Sequence, residues 1–308
     1  MKSTSHFSTL TNLRAVLGLA LLALGTFAGT ARASEHLLGY VKGAEPLPKG
    51  AQEFYQFATS RDDKGQGTYH AVDYKTEYEF GATNRLTLAA AFKSISLKTS
   101  GLVIDGYLPK DNKFGLKASG VELEALYNFV SPAKDGIGVS TSFGLSYDRI
   151  DKHSGQRKDQ ISGELELLLQ KFLLDGQLVW LGNVGMETTY ANRAAIADLP
   201  ADFDWPTDPE MEIELKAGTG LSYRFAPRWS VGAEALYETE FETEVGQERW
   251  SWFAGPSLHY AGQRWWTTLT YVRQLAGGGE FYEGQTDTSL HLIEKTKSEV
   301  RLKIALNF

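Results

Sequence analysis

The sequence predicts an all-β fold, a closed antiparallel transmembrane β-barrel of about 12 strands, and three observations carry the prediction. Apolar and polar residues alternate over many stretches, giving each strand one greasy and one hydrophilic face. Several of these stretches end in an aromatic residue and then turn tightly. Past residue 33 no run approaches the ~18 consecutive apolar residues of a spanning helix, yet Phe, Trp and Tyr make up 12% of the 308 residues. An aromatic-rich chain without such a helix meets lipid through strands.

At the N-terminus, Lys2 and Arg14 precede an uncharged apolar run from Ala15 to Phe27, and Ala31-Arg32-Ala33 fits a small-x-small cleavage site. Residues 1–33 therefore read as a cleaved secretory signal peptide, because the run is shorter than the ~20 residues needed to span a bilayer. Its removal takes away Lys2, Arg14 and Arg32 and no acid, shifting the net charge from −7 to −10. Such an acidic chain does not point to nucleic acid. With no cysteine, there is no disulfide framework, thiolate nucleophile or Cys-based metal site to find. Residues 34–50, with Pro46 and Pro48, hold no strand; they form a periplasmic N-terminal segment, with the lumen as the other place they can lie. The barrel takes the rest, residues 51–308.

The first strand is "QEFYQFATS", Gln52 to Ser60, whose alternation is the least clean of the set. Val72, Tyr74, Thr76, Tyr78 and Phe80 then interleave with Asp73, Lys75, Glu77 and Glu79. Val121, Leu123, Ala125, Tyr127 and Phe129 do so with Glu122, Glu124, Leu126 and Asn128, and Met211, Ile213, Leu215 and Ala217 with Glu212, Glu214 and Lys216. Trp229, Val231, Ala233, Ala235 and Tyr237 oppose Ser230, Gly232, Glu234 and Glu238. Tight turns follow Phe80, Phe129, Phe225 and Tyr260, and more loosely Phe172. Longer polar connections lie near residues 61–68, 99–117, 151–159, 191–209, 243–249 and 275–288. Short turns at one end and long loops at the other are the asymmetry of an outer-membrane barrel, and the even count puts both chain ends on the turn side.

Aromatic spacing supports a lipid belt. Trp229 and Tyr237 share a face eight residues apart, as do Trp252 and Tyr260; eight residues rise about 26 Å, or about 20 Å at a tilt of ~40°. In hydrocarbon every backbone polar group needs an internal partner, so the last strand, Val300 to Phe308, must close on the first. One stretch resists: in "ELELLLQKFLLDGQLVWL", Glu164 to Leu181, the turn signal Asp175-Gly176 favours a hairpin, but Phe172 falls on the polar phase and calls for a bulge.

With apolar faces outward, the lumen is lined by Asp73, Glu77, Glu79, Glu122, Glu124, Asp148, Glu164, Glu166, Glu187, Glu212, Glu214, Glu234 and Glu238, against Lys75, Lys93, Lys216, Arg224, Arg301 and Lys303. This carboxylate excess in a low-dielectric tube favours a narrow pore for cations or cationic small solutes. The alternative is a non-conducting structural or adhesive barrel filled by salt bridges. A lipid-modifying enzyme is the remaining class: Asp287, Ser289 and His291 share a face, with Leu290 and Leu292 outward. A collinear triad is poor geometry, since the base must reach nucleophile and orienter on opposite sides. No catalytic, cofactor-binding or metal-ligating residues are assigned. His36, His70, His153 and His259 lack ligand spacing, and "DLPADFDWPTDPE", Asp198 to Glu210, lacks a calcium-loop pattern.

From residue 51 to 308 the chain resembles a bacterial outer-membrane β-barrel protein. Its ending "VRLKIALNF", with Phe308 last, resembles the signal read by the barrel-assembly machinery of that class. "HLLGYVKGAEPLPKG", "SRDDKGQGTY" and "EFGATNRL" are similar to the start of an uncharacterised proteobacterial barrel family. The resemblance implies an outer-membrane location, with lipids, the assembly machinery and small solutes as partners, and brings no known activity.

Overall fold

In the computed structural model, described over residues 36–104, 113–195, 207–242 and 246–308, the strands close into a single antiparallel barrel. They are β1 (Gln52–Asp62), β2 (Gln66–Gly81), β3 (Leu86–Val103), β4 (Lys113–Val130), β5 (Gly138–Ile150), β6 (Arg157–Leu173), β7 (Leu178–Arg193), β8 (Glu210–Ala226), β9 (Trp229–Glu242), β10 (Gly246–Ala261), β11 (Trp265–Gly279) and β12 (Ser298–Asn307). Each pairs with its sequence neighbours, and β12 closes on β1. The closing register runs from Glu53↔Asn307 to Asp62↔Ser298, and the Phe308 N–H donates to the Gln52 carbonyl at 3.0 Å. No edge is left open, as a bilayer demands. Residues 1–33 and most of the acidic 198–210 stretch lie outside the described residues.

The outward face carries the apolar alternation. Leu123, Phe129, Ile161, Met211, Val231 and Val300 are all exposed. The aromatic spacing becomes cross-strand pairing: Trp229 faces Tyr260 and Tyr237 faces Trp252 in the β9–β10 register, with ring centroids 4.7 and 4.9 Å apart. Each pair marks one interface, where amphipathic rings settle.

Turns gather at one end. A single-turn helix α1 (Pro132–Asp135) sits between β4 and β5 and ends on Gly136 at φ 77°, a left-handed position that suits glycine. The β6–β7 turn takes Leu174, Asp175 and Gly176 through positive φ. At the loop end β3 and β4 run well into the stretch expected to be loop, while the last loop occupies residues 280–297. Asp287 to Leu292 is therefore no strand. Leu290 and Leu292 do not point outward either; both are buried, with Ile293, inside the mouth.

The second departure is the N-terminal segment. Of the two places open to it, residues 36–47 occupy the lumen, running inside the barrel from the turn end, where Leu38, Val41, Ala44 and Leu47 are fully buried, while residues 48–50 stay exposed. Phe172 is explained by the same fact. No register shift occurs along β6–β7; Phe172 faces inward beside Leu168 without a bulge and packs, with Val179, Leu181 and Leu236, against Leu37, Leu38 and Val41. The uneven alternation of β1 has a matching cause: Tyr55 joins Trp266 and Ala305 in an inward cluster flanked by Phe57, and the His36 ring stacks on Trp266.

Candidate functional site

The lumen is the candidate site, and its two ends are occupied by the chain itself. At the turn end, residues 36–47 form neither helix nor strand and bend at residues 38–41 and 44, so their peptide groups need partners from the wall. Glu234 on β9 accepts from the N–H groups of Gly39, Tyr40 and Val41 at 2.8, 2.9 and 2.9 Å. Asn183 on β7 accepts from the Lys42 N–H at 2.6 Å and donates to the Lys42 carbonyl at 3.0 Å. Gln170 accepts from the Ala44 N–H, and Asn128 and Ser140 donate to its carbonyl. Thr268 donates to the His36 carbonyl and Lys303 to that of Leu38.

Glycines shape the wall to fit. A Cβ added at Gly220 would lie 2.3 Å from a Leu38 methyl, and one at Gly232 2.7 Å from the other. These are close-approach glycines, the usual reason for glycine inside a strand.

Between the two ends lies a space lined by charge. One cavity of about 380 Å³ and another of about 430 Å³ share Tyr40, Lys42, Asp73, Glu164, Glu187 and Arg301 in their walls. Lysines stand between carboxylates. Lys216 lies 3.0 Å from Glu164, 2.5 Å from Glu187 and 3.8 Å from Glu214. Lys75 bridges Glu77 and Glu122, and Lys93 bridges Asp148 and Glu122. Lys42, from the inserted segment, reaches Glu124 at 3.4 Å and Glu166 at 2.7 Å. Period-two alternation explains the convergence, since every second residue of adjacent strands points to the same interior.

At the loop end, residues 280–297 are tied across the mouth. Gly65 N–H donates to the Leu292 carbonyl and Lys297 N–H to that of Asp63. Lys64 donates to the Glu294 carbonyl at 2.9 Å, and the Glu294 carboxylate meets Arg249 at 2.9 Å and His153 at 3.4 Å. Arg249 also holds Glu240 and Glu248, and Lys295 spans Glu214 and Glu238 at 3.2 and 2.5 Å. Burial, with the Lys64 ammonium beside it, keeps the His153 imidazole well below its usual range. Burial and Arg249 push His291 down to about 4.

The structure thus brings Asp73, Lys75, Glu77, Glu79, Glu122, Glu124, Glu164, Glu166, Glu212, Glu214, Lys216, Glu234, Arg301 and Lys303 onto the inner face, fully or partly buried. Arg224 is the exception: it stands exposed beside the β8–β9 turn, where its N–H donates to Gln177. Sequence reading missed Arg61, which pairs with Asp73; its parity with Thr59 on β1 was the available signal. Arg249 was hidden by a register shift beside Gln247. Lys42 and Lys295 carried no strand period at all. Ser289 donates to Asp287 at 2.6 Å, but the His291 ring faces the Glu294 N–H, so these three residues do not assemble into a relay. Among the described residues no group of His, Asp and Glu is arranged to hold a metal ion.

Comparison with known proteins places this fold. No curated protein matches the sequence. Among solved structures, the COG4313 outer membrane channel from Pseudomonas putida F1 is similar at 13% identity and a TM-score of 0.57, over 86% of this chain and 98% of that one. The NanC porin is similar at 10% identity and 0.42, over 83% and 98%. The KdgM porin is similar at 11% and 0.39, over 84% and 99%. At 13% identity the likeness to the channel is one of fold alone, a closed β-barrel. The sequence matches the Family of unknown function (DUF6662) over residues 30–308, and the chain belongs to that family.

Proposed function

We propose that the barrel is a narrow outer-membrane channel for small solutes, with a preference for cations, held closed in this conformation by its own two inserted segments. The observation that carries the reading is the pair of adjoining cavities walled by carboxylates whose lysine neighbours are each shared between two or three acids. A shared lysine neutralises less than one charge per carboxylate, and the low-dielectric wall concentrates the remaining negative field along the axis. Anions meet that field as a barrier and cations as a well.

The inserted segments favour a second reading, a non-conducting structural barrel. Planar-bilayer recording with a salt gradient separates the two. The channel reading expects discrete current steps and a reversal potential on the cation side, reduced toward zero in the Glu164→Gln/Glu187→Gln variant. Silence at every potential, in the native chain and in variants that free the inserted segments, overturns it in favour of the structural barrel.

A further inference from the structure

We propose that the inner wall at the turn end is a peptide-recognition site, occupied in cis by residues 36–47. Its ligand class is short peptides that bend so as to turn three successive N–H groups to one carboxylate, ordered aliphatic, small, aromatic, aliphatic, basic, as in Leu38-Gly39-Tyr40-Val41-Lys42. The inference goes beyond conduction and does not depend on it.

Recognition of the backbone comes first. A chain without helix or sheet presents one donor and one acceptor per residue, each costly to bury alone. Here the wall answers them with side chains rather than with a strand edge: the Glu234 carboxylate takes three successive N–H groups, and the Asn183 amide takes both groups of Lys42. A closed barrel has no free edge to offer, so only side chains can do this. A ligand lacking amides leaves these buried groups without partners, which is how a hydrogen-bonding site rejects it.

Side-chain order is read at the same time. Leu38 fills the dent left by Gly220 and Gly232, and Gly39 sits so close to Thr270 that a Cβ there would lie 2.6 Å from the threonine. The Tyr40 ring lies under the Arg301 guanidinium at 3.7 Å, with its hydroxyl donating to Glu299 at 2.5 Å. Lys42 ends between Glu124 and Glu166. Two glycines set diagonally across the inner face of β8 and β9 weaken a strand pair unless something approaches closely; a peptide side chain is what approaches.

The test keeps the full chain and empties the site from within. Leu38→Asp/Gly39→Val puts a carboxylate in the apolar dent and a branched side chain against Thr270, while the wall stays native. In the folded variant in detergent, trypsin is expected to cut after Lys42, a bond protected in the native chain. A fluorescent peptide spanning residues 36–47 is expected to bind that variant saturably, with a scrambled peptide at least about tenfold weaker. Adding Glu234→Ala, which removes all three peptide N–H bonds, should cost a further factor on the order of one hundred. Protection of Lys42 in the variant, or equal binding of native and scrambled peptides, overturns the proposal. Should the double variant not fold, Glu234→Ala in the otherwise native chain is read instead: cleavage after Lys42 supports the site, and continued protection overturns it. Because binding is read without a membrane, its failure leaves the channel reading standing, and silence in the bilayer leaves this one.

Discussion

The two ends of the lumen are closed by different chemistry. At the turn end, residues 36–47 are held mainly by amides, hydroxyls and an apolar dent, with Glu234 facing peptide N–H groups rather than a cation. At the loop end, residues 280–297 are held by a mesh of ions: Arg249 among Glu240, Glu248 and Glu294, and Lys295 between Glu214 and Glu238. Peptide-to-amide contacts have little to lose to salt or pH, whereas a mesh of charges and buried imidazoles has much. One closure is therefore chiefly a matter of fit, with His36 and the Lys42 pairs as its charged share, and the other chiefly of charge state.

The largest effect should come from Arg249→Ala. It leaves three buried carboxylates facing one another, and breaking one side of a buried ion pair costs about 3–5 kcal/mol. Hydrogen exchange should show residues 280–297 losing protection by that order while residues 39–44 keep theirs; equal loss at both ends would erase the distinction. Next comes Glu234→Ala, which strands three peptide N–H groups and should lower protection of Gly39, Tyr40 and Val41 by on the order of 3 kcal/mol, with the loop end unaffected.

Acidification sharpens the contrast further. His153 and His291 both have depressed folded pKa values, so the opened state binds protons first as pH falls. Their contribution is complete above the ordinary imidazole value of ~6.5 and is lost as pH falls below it, by about 1.4 kcal/mol per pH unit for each group. Between pH 7 and pH 5 the loop end should loosen through two imidazoles and the turn end less, through His36 alone, which burial and the Lys303 ammonium hold well below its usual range; His153→Gln should remove about half of the loop end's slope. The Lys64, Arg61, Lys158 and Arg249 cations around the loop-end rings make protonation within the closed state unfavourable, which fixes the direction. Smallest is the effect of salt: raising ionic strength should weaken the partly hydrated pairs of Lys295 by less than ~1 kcal/mol, read as faster exchange in residues 294–296 alone.

The barrel was legible in the sequence because its signal is periodic. Strand number, closure of β12 on β1 and the outward set from Val72 to Val300 all follow from a period of two, which lipid on one side and water on the other enforce over the whole wall. The occupants of the lumen have no period to read. The segment 36–50 looked like an unstructured leader between prolines, and its binding place was written in the wall instead, as inward Leu168, Phe172 and Leu181 and as the glycines of β8 and β9. Those residues stood out as breaches of the polar-inside rule, and the bulge inferred at Phe172 was a wrong reading of a correct irregularity. Asp287 to Leu292 misled in the opposite way: its alternation is genuine, but a loop folded into the mouth buries Leu290, His291 and Leu292 alike, so no outward face exists. Lys42 and Lys295 were out of sight for the same reason, since they enter the lumen from segments outside the strands.

Insertion of the N-terminal segment can be tested most directly by a cross-link. The chain has no cysteine, so Val41→Cys/Gly218→Cys introduces the only two thiols, and a Cβ at Gly218 lies 3.1 Å from a Val41 methyl, within the reach of a disulfide. Mild oxidation of the folded protein in membranes, followed by denaturation and tryptic mass analysis, should find the peptide carrying residue 41 joined to the one carrying residue 218 in nearly every molecule. Folded barrels in which both thiols stay free would place residues 36–47 outside the lumen.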